Sequence, residues 1–180
     1  GLKQAMSAYK DRLDVLSSPI DALPLEFVEP DGIQNIITLA KSSYDFVIID
    51  VPQALVSWSE TVLEEAQLYF AILELDMRCA QNALRFVRTL KAEDLPFEKV
   101  QFALNRAPKF TDMSGKARVK RMAESLEIDF RYALPDGGKP VANSGDEGIP
   151  LAELAAKNPL RKEILKIAKT ISELVKDDVQ

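Results

Sequence analysis

The chain has 180 residues, of which 47% are apolar and 28% are charged, with a net charge of −5 and no histidine. This length suffices for one domain with a real core, and no apolar run approaches the roughly 20 residues that span a bilayer. The missing histidine excludes Ser-His-Asp triads, histidine general bases and histidine-ligated zinc, and the acidic balance argues against extensive nucleic-acid binding.

The single cysteine, Cys79, cannot form an internal disulfide, which fits a reducing compartment. The first residues show no basic segment followed by an apolar one, so no secretory signal is predicted. We therefore expect a cytoplasmic protein.

Helical and extended patterns alternate along the chain. Residues 2–9 have the pattern of a helix end, and apolar runs predict five buried strands at residues 12–17, 46–51, 67–73, 99–105 and 129–134. Apolar residues three and four apart predict helices at 32–41, 59–66, 77–91, 114–126, 151–157 and 160–176, with a loop from residue 135 onward. This order predicts an α/β fold: a doubly wound, mostly parallel sheet with helices on both faces, in a single domain over residues 1–180.

Asp50 directly follows Phe46-Val47-Ile48-Ile49, a continuous apolar run typical of a strand that helices cover on both faces. The run and its aspartate have the form of a Walker B strand, whose carboxylate holds a magnesium-bound water beside nucleotide phosphates. An aspartate that merely caps the next turn is the alternative, and the short pattern alone favours it.

Asn105 and Arg106 end another predicted strand, at the edge where parallel sheets bind ligands. A side-chain amide can donate to and accept from an adenine edge. Rigid backbone at two further places could form the sides of a pocket for a planar base: Pro135, followed by Asp136, and the later segment 148–151. Ordinary polar or turn-rich loops are the alternative at both places.

Five segments, taken in order and at their separations, carry a resemblance that covers nearly the whole chain: 11–16, 44–52, 104–106, 134–136 and 148–151. Together they resemble the CpaE/TadZ pilus-assembly proteins, which belong to the deviant-Walker group that includes MinD and ParA. The most specific part is Tyr44-Asp45-x-Val-x-x-Asp50-x-Pro52.

The resemblance implies a P-loop NTPase-like fold that is incomplete in this chain. It implies that Asp50 lies near Mg²⁺ and phosphate, that Asn105 reads adenine, and that Arg106 and Pro135 flank the base. ATP and Mg²⁺ are the implied cofactors of the full-length protein, and the implied role is localisation of Flp (Tad, type IVb) pilus machinery at a cell pole or the inner membrane surface. Pilus and secretion proteins are the implied partners, a homodimer and a peripheral membrane association are left open, and nucleic acid is not expected.

The chain departs from the family in one respect. None of its seven glycines forms the upstream glycine-rich loop whose amides and lysines hold phosphates. We therefore expect weak ATP binding and assign no catalytic residue within this chain. Gly1 at the start and the helix-end pattern of residues 2–9 favour a chain cut after that loop over a naturally degenerate site.

Two other functions remain open. One is a non-catalytic localisation scaffold with a degenerate nucleotide site. The other is a ParA-like DNA-partitioning ATPase that uses Arg78, Arg85 and Arg88, which we interpret instead as a solvated helix face.

Overall fold

The computed structural model describes residues 1–18, 28–52 and 55–177, with side chains up to residue 173. It contains two compact units, Gly1–Gln67 and Leu68–Gln180. The single domain expected over residues 1–180 stays a prediction. Among the described residues, no helix combines the length and the apolar character needed to cross a membrane.

The first unit begins with a short helix and a hairpin. Helix α1 (Leu2–Ala5) is followed by strands β1 (Ser7–Tyr9) and β2 (Leu13–Val15), which pair antiparallel. Lys10 turns the chain between them with a positive φ of 55°. The helix predicted over residues 2–9 is therefore wrong beyond Ala5, and the buried parallel strand predicted at 12–17 is an exposed antiparallel one. A tight turn joins only antiparallel strands, since parallel strands need a long crossover.

Helices α2 (Pro30–Lys41) and α3 (Ser59–Glu65) supply the core of the first unit. Ile37, Trp58 and Val62 are buried together there. Glu65 joins the two helices, because its carboxylate accepts from Gln34 Nε2 at 2.9 Å and its backbone carbonyl accepts from Lys41 Nζ at 2.8 Å. Trp58, which follows the predicted Walker B segment in sequence, is thus a core residue of this unit.

Residues 46–51 do not form the predicted buried strand. They belong to no strand, and Ile48 is 94% exposed while Phe46 is 49% exposed. A strand needs a hydrogen-bonded neighbour, and within the described part of the chain no strand pairs with this segment. The apolar run alone therefore could not establish burial.

The second unit alternates strand and helix as the sequence predicts. Its elements are β3 (Tyr69–Leu73), α4 (Met77–Ala92), β4 (Val100–Ala107), α5 (Met113–Leu126), β5 (Phe130–Pro135), α6 (Lys139–Glu147), α7 (Leu151–Leu154) and α8 (Pro159–Asp177). The strands form a parallel sheet in the order β3-β4-β5. The predicted α/β fold is therefore confirmed by a three-stranded parallel sheet with crossover helices.

The core of the second unit is centred on β4. Phe102, Ala103 and Leu104 are consecutive and all buried, as in a central strand covered on both sides. Leu90 of α4 is fully buried, and α4 packs against β3 while α8 packs against β5. The packing covers α8 only in part, because Ile164 and Leu165 are 49% and 41% exposed.

Helix α6 occupies a segment that the sequence predicts as a loop. Pro140 lies in its first turn, where the missing N–H costs nothing, and Gly148 ends it with a φ of 63°. The prediction was wrong because it took the Pro-Gly run as a loop and not as the start of a helix. Buried Asn158 then begins α8: its Oδ1 accepts from Leu160 N at 2.9 Å, and its Nδ2 donates to the carbonyl of Gly137 at 2.8 Å.

Candidate functional site

The parallel pairing of β3 and β4 brings two polar residues side by side. Leu73 pairs with Leu104 at the carboxyl ends of these strands. The residues that follow, Glu74 and Asn105, therefore emerge next to each other at the edge where parallel sheets bind ligands.

A bulge at the end of β4 turns two consecutive side chains toward the same place. Leu104 pairs with Ala133 of β5 and Ala107 pairs with Pro135, so Asn105 and Arg106 lie opposite one residue of β5. Arg106 has a φ of 49°, in the left-handed region that non-glycine residues seldom adopt. In a regular strand neighbouring side chains point to opposite faces, and the bulge removes that alternation.

Both side chains meet the carboxylate of Glu74. Asn105 Nδ2 donates to Glu74 Oε1 at 2.9 Å, and Arg106 Nη1 lies 3.5 Å from Glu74 Oε2. Asn105 and Glu74 are half-buried, so this charge-assisted bond contributes on the order of 1.5 to 3 kcal/mol. The ion pair is exposed, with 67% of the Arg106 side chain accessible, so it contributes at most about 1 kcal/mol.

A cavity of about 350 Å³ opens at this edge of the second unit. Its lining residues are Glu74, Leu75, Asp76, Asn105, Arg106, Pro108, Asp112 and Arg118.

Two of the lining carboxylates are held by helix starts. Asp76 accepts from Cys79 N at 2.9 Å and begins α4, while Asp112 accepts from Gly115 N at 2.8 Å and begins α5. A side chain at Gly115 would meet Asp112 Oδ2 and Pro108 Cβ at 2.5 Å, so only glycine allows this close approach. With both aspartates used as caps, the lining residues left to meet a ligand are Glu74, Asn105, Arg106 and Arg118.

The donors and acceptors of this cavity fit a nucleobase better than a phosphate group. The Asn105 amide and the Glu74 carboxylate can accept from an exocyclic amine, and the Arg106 guanidinium can lie on a planar ring. A triphosphate would face the three carboxylates of Glu74, Asp76 and Asp112, which outnumber the two lining guanidinium groups of Arg106 and Arg118.

The other predicted site residues stand apart from this cavity lining. Pro135 ends β5 beside Ala107, one residue from Arg106, but it is not among the described residues that line the cavity. Asp50 belongs to the first unit, where it is exposed at the end of the unpaired segment. No group of three or more His, Cys, Asp or Glu residues in the described ranges could hold a metal ion. The roles of Asp50 and Pro135 stay predictions.

Sequence reasoning missed Glu74. The rule that led to Asn105, inspection of the residue after each strand, also applies to Glu74 directly after β3. A glutamate so close in sequence to Arg78 is, from the sequence alone, equally expected to pair with the arginines of α4. In the structure Arg78, Arg85 and Arg88 are exposed, and Glu74 faces Arg106 instead.

Solved structures identify the fold. The ParA family ATPase from Chlorobium tepidum TLS superposes with a TM-score of 0.82 at 20% identity, covering 93% of this chain and 68% of that one. The chain has the fold of the MinD and ParA ATPases. A second similar structure is the septum site-determining protein MinD from Pyrococcus horikoshii OT3, solved in complex with Mg-ADP. It superposes with a TM-score of 0.69 at 18% identity, and the superposition covers 97% of this chain and 70% of the MinD chain.

Sequence comparison agrees with this relation to MinD and ParA. The septum site-determining protein MinD of Synechocystis sp. is 23% identical over 125 residues, which are 69% of this chain. The match spans less than half, 46%, of that MinD protein. No protein-family model matches the chain.

Proposed function

We propose that this chain is part of a localisation ATPase of the CpaE/TadZ type, which positions the machinery of Flp (Tad, type IVb) pili. The observation that carries the proposal is the bulge at the end of β4, which directs Asn105 and Arg106 into one cavity at the ligand edge of a MinD/ParA fold. The five segments that resemble CpaE/TadZ proteins favour the pilus role over other members of this group.

Within the chain we assign each residue one task. Asn105 pairs with the edge of the adenine, Arg106 lies against the ring, and Pro135 bounds it from β5. Asp50 holds a water of the Mg²⁺ shell, since magnesium keeps several waters and binds few carboxylates. Hydrolysis of the phosphoanhydride of ATP, bound with Mg²⁺, returns the protein to its starting state. The phosphate-binding loop comes from polypeptide outside these 180 residues.

The proposed protein acts in the cytoplasm, at a cell pole or on the inner membrane surface. Its partners are proteins of the pilus and secretion machinery, and nucleotide binding drives a change of state, including a homodimer, that these partners read.

The test uses the natural full-length protein in its source cells, with Asn105→Ala as the variant. Asn143→Ala is the matched control, because Asn143 is an exposed residue of α6 with the same side chain. We expect Asn105→Ala to abolish nucleotide binding, to disperse the fluorescently tagged protein and to remove surface pili, while Asn143→Ala changes none of these. Normal pili and a normal polar focus in Asn105→Ala cells would instead support a scaffold that does not use nucleotide.

One structural observation favours a second candidate function. Arg78, Arg85 and Arg88 are all exposed on α4, as a DNA-partitioning protein of the ParA type would require. A filter-binding assay with duplex DNA at low salt decides this, because phosphate contacts weaken steeply as salt rises. Failure to bind at low salt removes the DNA-binding candidate.

A further inference from the structure

Glu74 is placed to control both residues that face the base. It follows β3 directly, and its backbone N–H donates to Cys79 Sγ at 3.2 Å, which ties it to the first turn of α4. One carboxylate oxygen accepts a hydrogen bond from the Asn105 amide, and the other faces the Arg106 guanidinium. Each of the two predicted base contacts is therefore already oriented before a ligand binds.

A carboxylate accepts hydrogen bonds and donates none, so it dictates which end of the Asn105 amide faces it. The nitrogen must face Glu74, and the 2.9 Å contact is between Nδ2 and Oε1. The amide carbonyl Oδ1 then points away from Glu74, and no donor among the described residues bonds to it. It remains an open acceptor at the cavity, next to the second proton of Nδ2.

We propose that Glu74 is the specificity-determining residue of this site and selects a purine with an amino group at C6, which is adenine, over one with an oxo group. The inference rests on the proposed function, because it assumes that the cavity takes a purine. An adenine edge offers an N–H to Oδ1 and an acceptor to Nδ2, the pairing that asparagine makes with this base. A 6-oxo purine places its oxygen against Oδ1, acceptor against acceptor.

The second oxygen of Glu74 acts in the same direction. A free arginine prefers the O6 and N7 acceptors of guanine, which is the commonest base contact of this side chain. Arg106 Nη1 lies 3.5 Å from Glu74 Oε2, so Glu74 competes with a 6-oxo purine for this donor. Removing Glu74 both frees the amide to rotate and releases the arginine.

The experiment compares adenosine with inosine, which carries an oxo group at C6 and lacks the amino group. Neither has phosphate, so the test does not depend on a phosphate-binding loop. Two-dimensional NMR of the 180-residue chain follows the backbone signals of β4 and the side-chain amide of Asn105 as each nucleoside is added. The variants are Glu74→Gln, which keeps the size and removes the fixed acceptor, Glu74→Ala as a second variant, and Asn105→Ala. Glu124→Gln is the matched control, because Glu124 is an exposed residue of α5.

We expect the wild type and Glu124→Gln to bind adenosine about tenfold more tightly than inosine, the ratio that one correctly made polar contact provides. We expect Glu74→Gln and Glu74→Ala to bring the two affinities within about twofold of each other. A loss of fold alone would weaken both nucleosides together, so the ratio distinguishes selection from stability.

The outcomes separate this inference from the function on which it rests. In one outcome the wild type prefers adenosine, Asn105→Ala has lost this preference, and both Glu74 variants keep it. That outcome overturns the role of Glu74 and leaves the adenine site in place. If the wild type shows no preference or binds neither nucleoside, both proposals are overturned.

Discussion

Arg106 holds a strained backbone at the candidate site, and the strain can be measured by comparing two substitutions. Its φ of 49° costs an ordinary residue about 1 to 2 kcal/mol, and glycine pays nothing for it. Arg106→Ala and Arg106→Gly both remove the same exposed ion pair with Glu74, so this loss cancels in the comparison. What remains is the backbone term alone.

The expected difference follows from two opposing effects. Glycine relieves the strain of about 1 to 2 kcal/mol but loses about 0.5 to 1 kcal/mol of stability through its greater freedom in the unfolded chain. Arg106→Gly is therefore expected to be about 0.5 to 1 kcal/mol more stable than Arg106→Ala, a difference of about 2 °C in melting temperature.

Urea unfolding followed by far-ultraviolet circular dichroism measures this difference, with amide hydrogen exchange locating it in β4 and β5. Gln101 is the matched control, since it lies in the regular part of the same strand and pairs with Phe70. Gln101→Gly should be less stable than Gln101→Ala, the reverse order. If Arg106→Gly is also less stable than Arg106→Ala, the bulge is not strained, and backbone strain does not hold Arg106 at the cavity.

Three further predictions concern single residues. Asn158→Ala should lower the free energy of unfolding by about 2 to 3 kcal/mol, because it removes the cap of α8 and leaves the carbonyl of Gly137 unpaired. Asn158→Ser retains a cap, so its stability in urea titrations should lie between those of Asn158→Ala and the wild type. Glu127 ends α5 with a φ of 54°, so Glu127→Gly should raise stability by about 0.5 to 1 kcal/mol in thermal melts while Glu127→Ala should not. Tyr44 donates a hydrogen bond to Asp14, and this bond, partial burial and the nearby negative charge raise the pKa of Tyr44 above 10.0. Asp14→Asn should therefore lower that pKa, which an ultraviolet titration of tyrosinate measures.

The pH dependence of the Tyr44 contact has a definite sign. Because the folded pKa lies above the unfolded value of 10.0, the contribution to stability is complete below pH 10.0 and is lost as pH rises through the folded pKa. Tyr44→Phe identifies the signal among the four tyrosines of the chain. An unchanged titration in Asp14→Asn would show that the carboxylate does not set the pKa.

Apart from α6, the order of elements in the second unit could be predicted from the sequence because each of these elements carries a local pattern. The period of three to four in α4 and α5 and the apolar run of β4 are properties of neighbouring residues. The buried residues follow that spacing: Ala83, Val87 and Leu90 in α4, and Met122 and Leu126 in α5. Asn105 and Arg106 were found by the same means, since the end of a strand is visible in the sequence.

The first unit shows where such patterns fail. The run Phe46-Val47-Ile48-Ile49 reads as a buried strand, yet burial depends on a partner strand and on covering helices that lie elsewhere in a fold. The hairpin of β1 and β2 likewise depends on a turn at Lys10 in a conformation that lysine seldom adopts.

The sequence by itself determined the α/β class of this protein, the helices and strands of its second unit other than α6, and the polar residues at the end of β4, because amphipathic periodicity is local. Only the tertiary structure decided that Asn105 and Arg106 face the same carboxylate, that Glu74 supplies it, and that residues 46–51 stay unpaired. The physical reason is that a strand's register, its bulge and its hydrogen-bond partner belong to two or more segments at once.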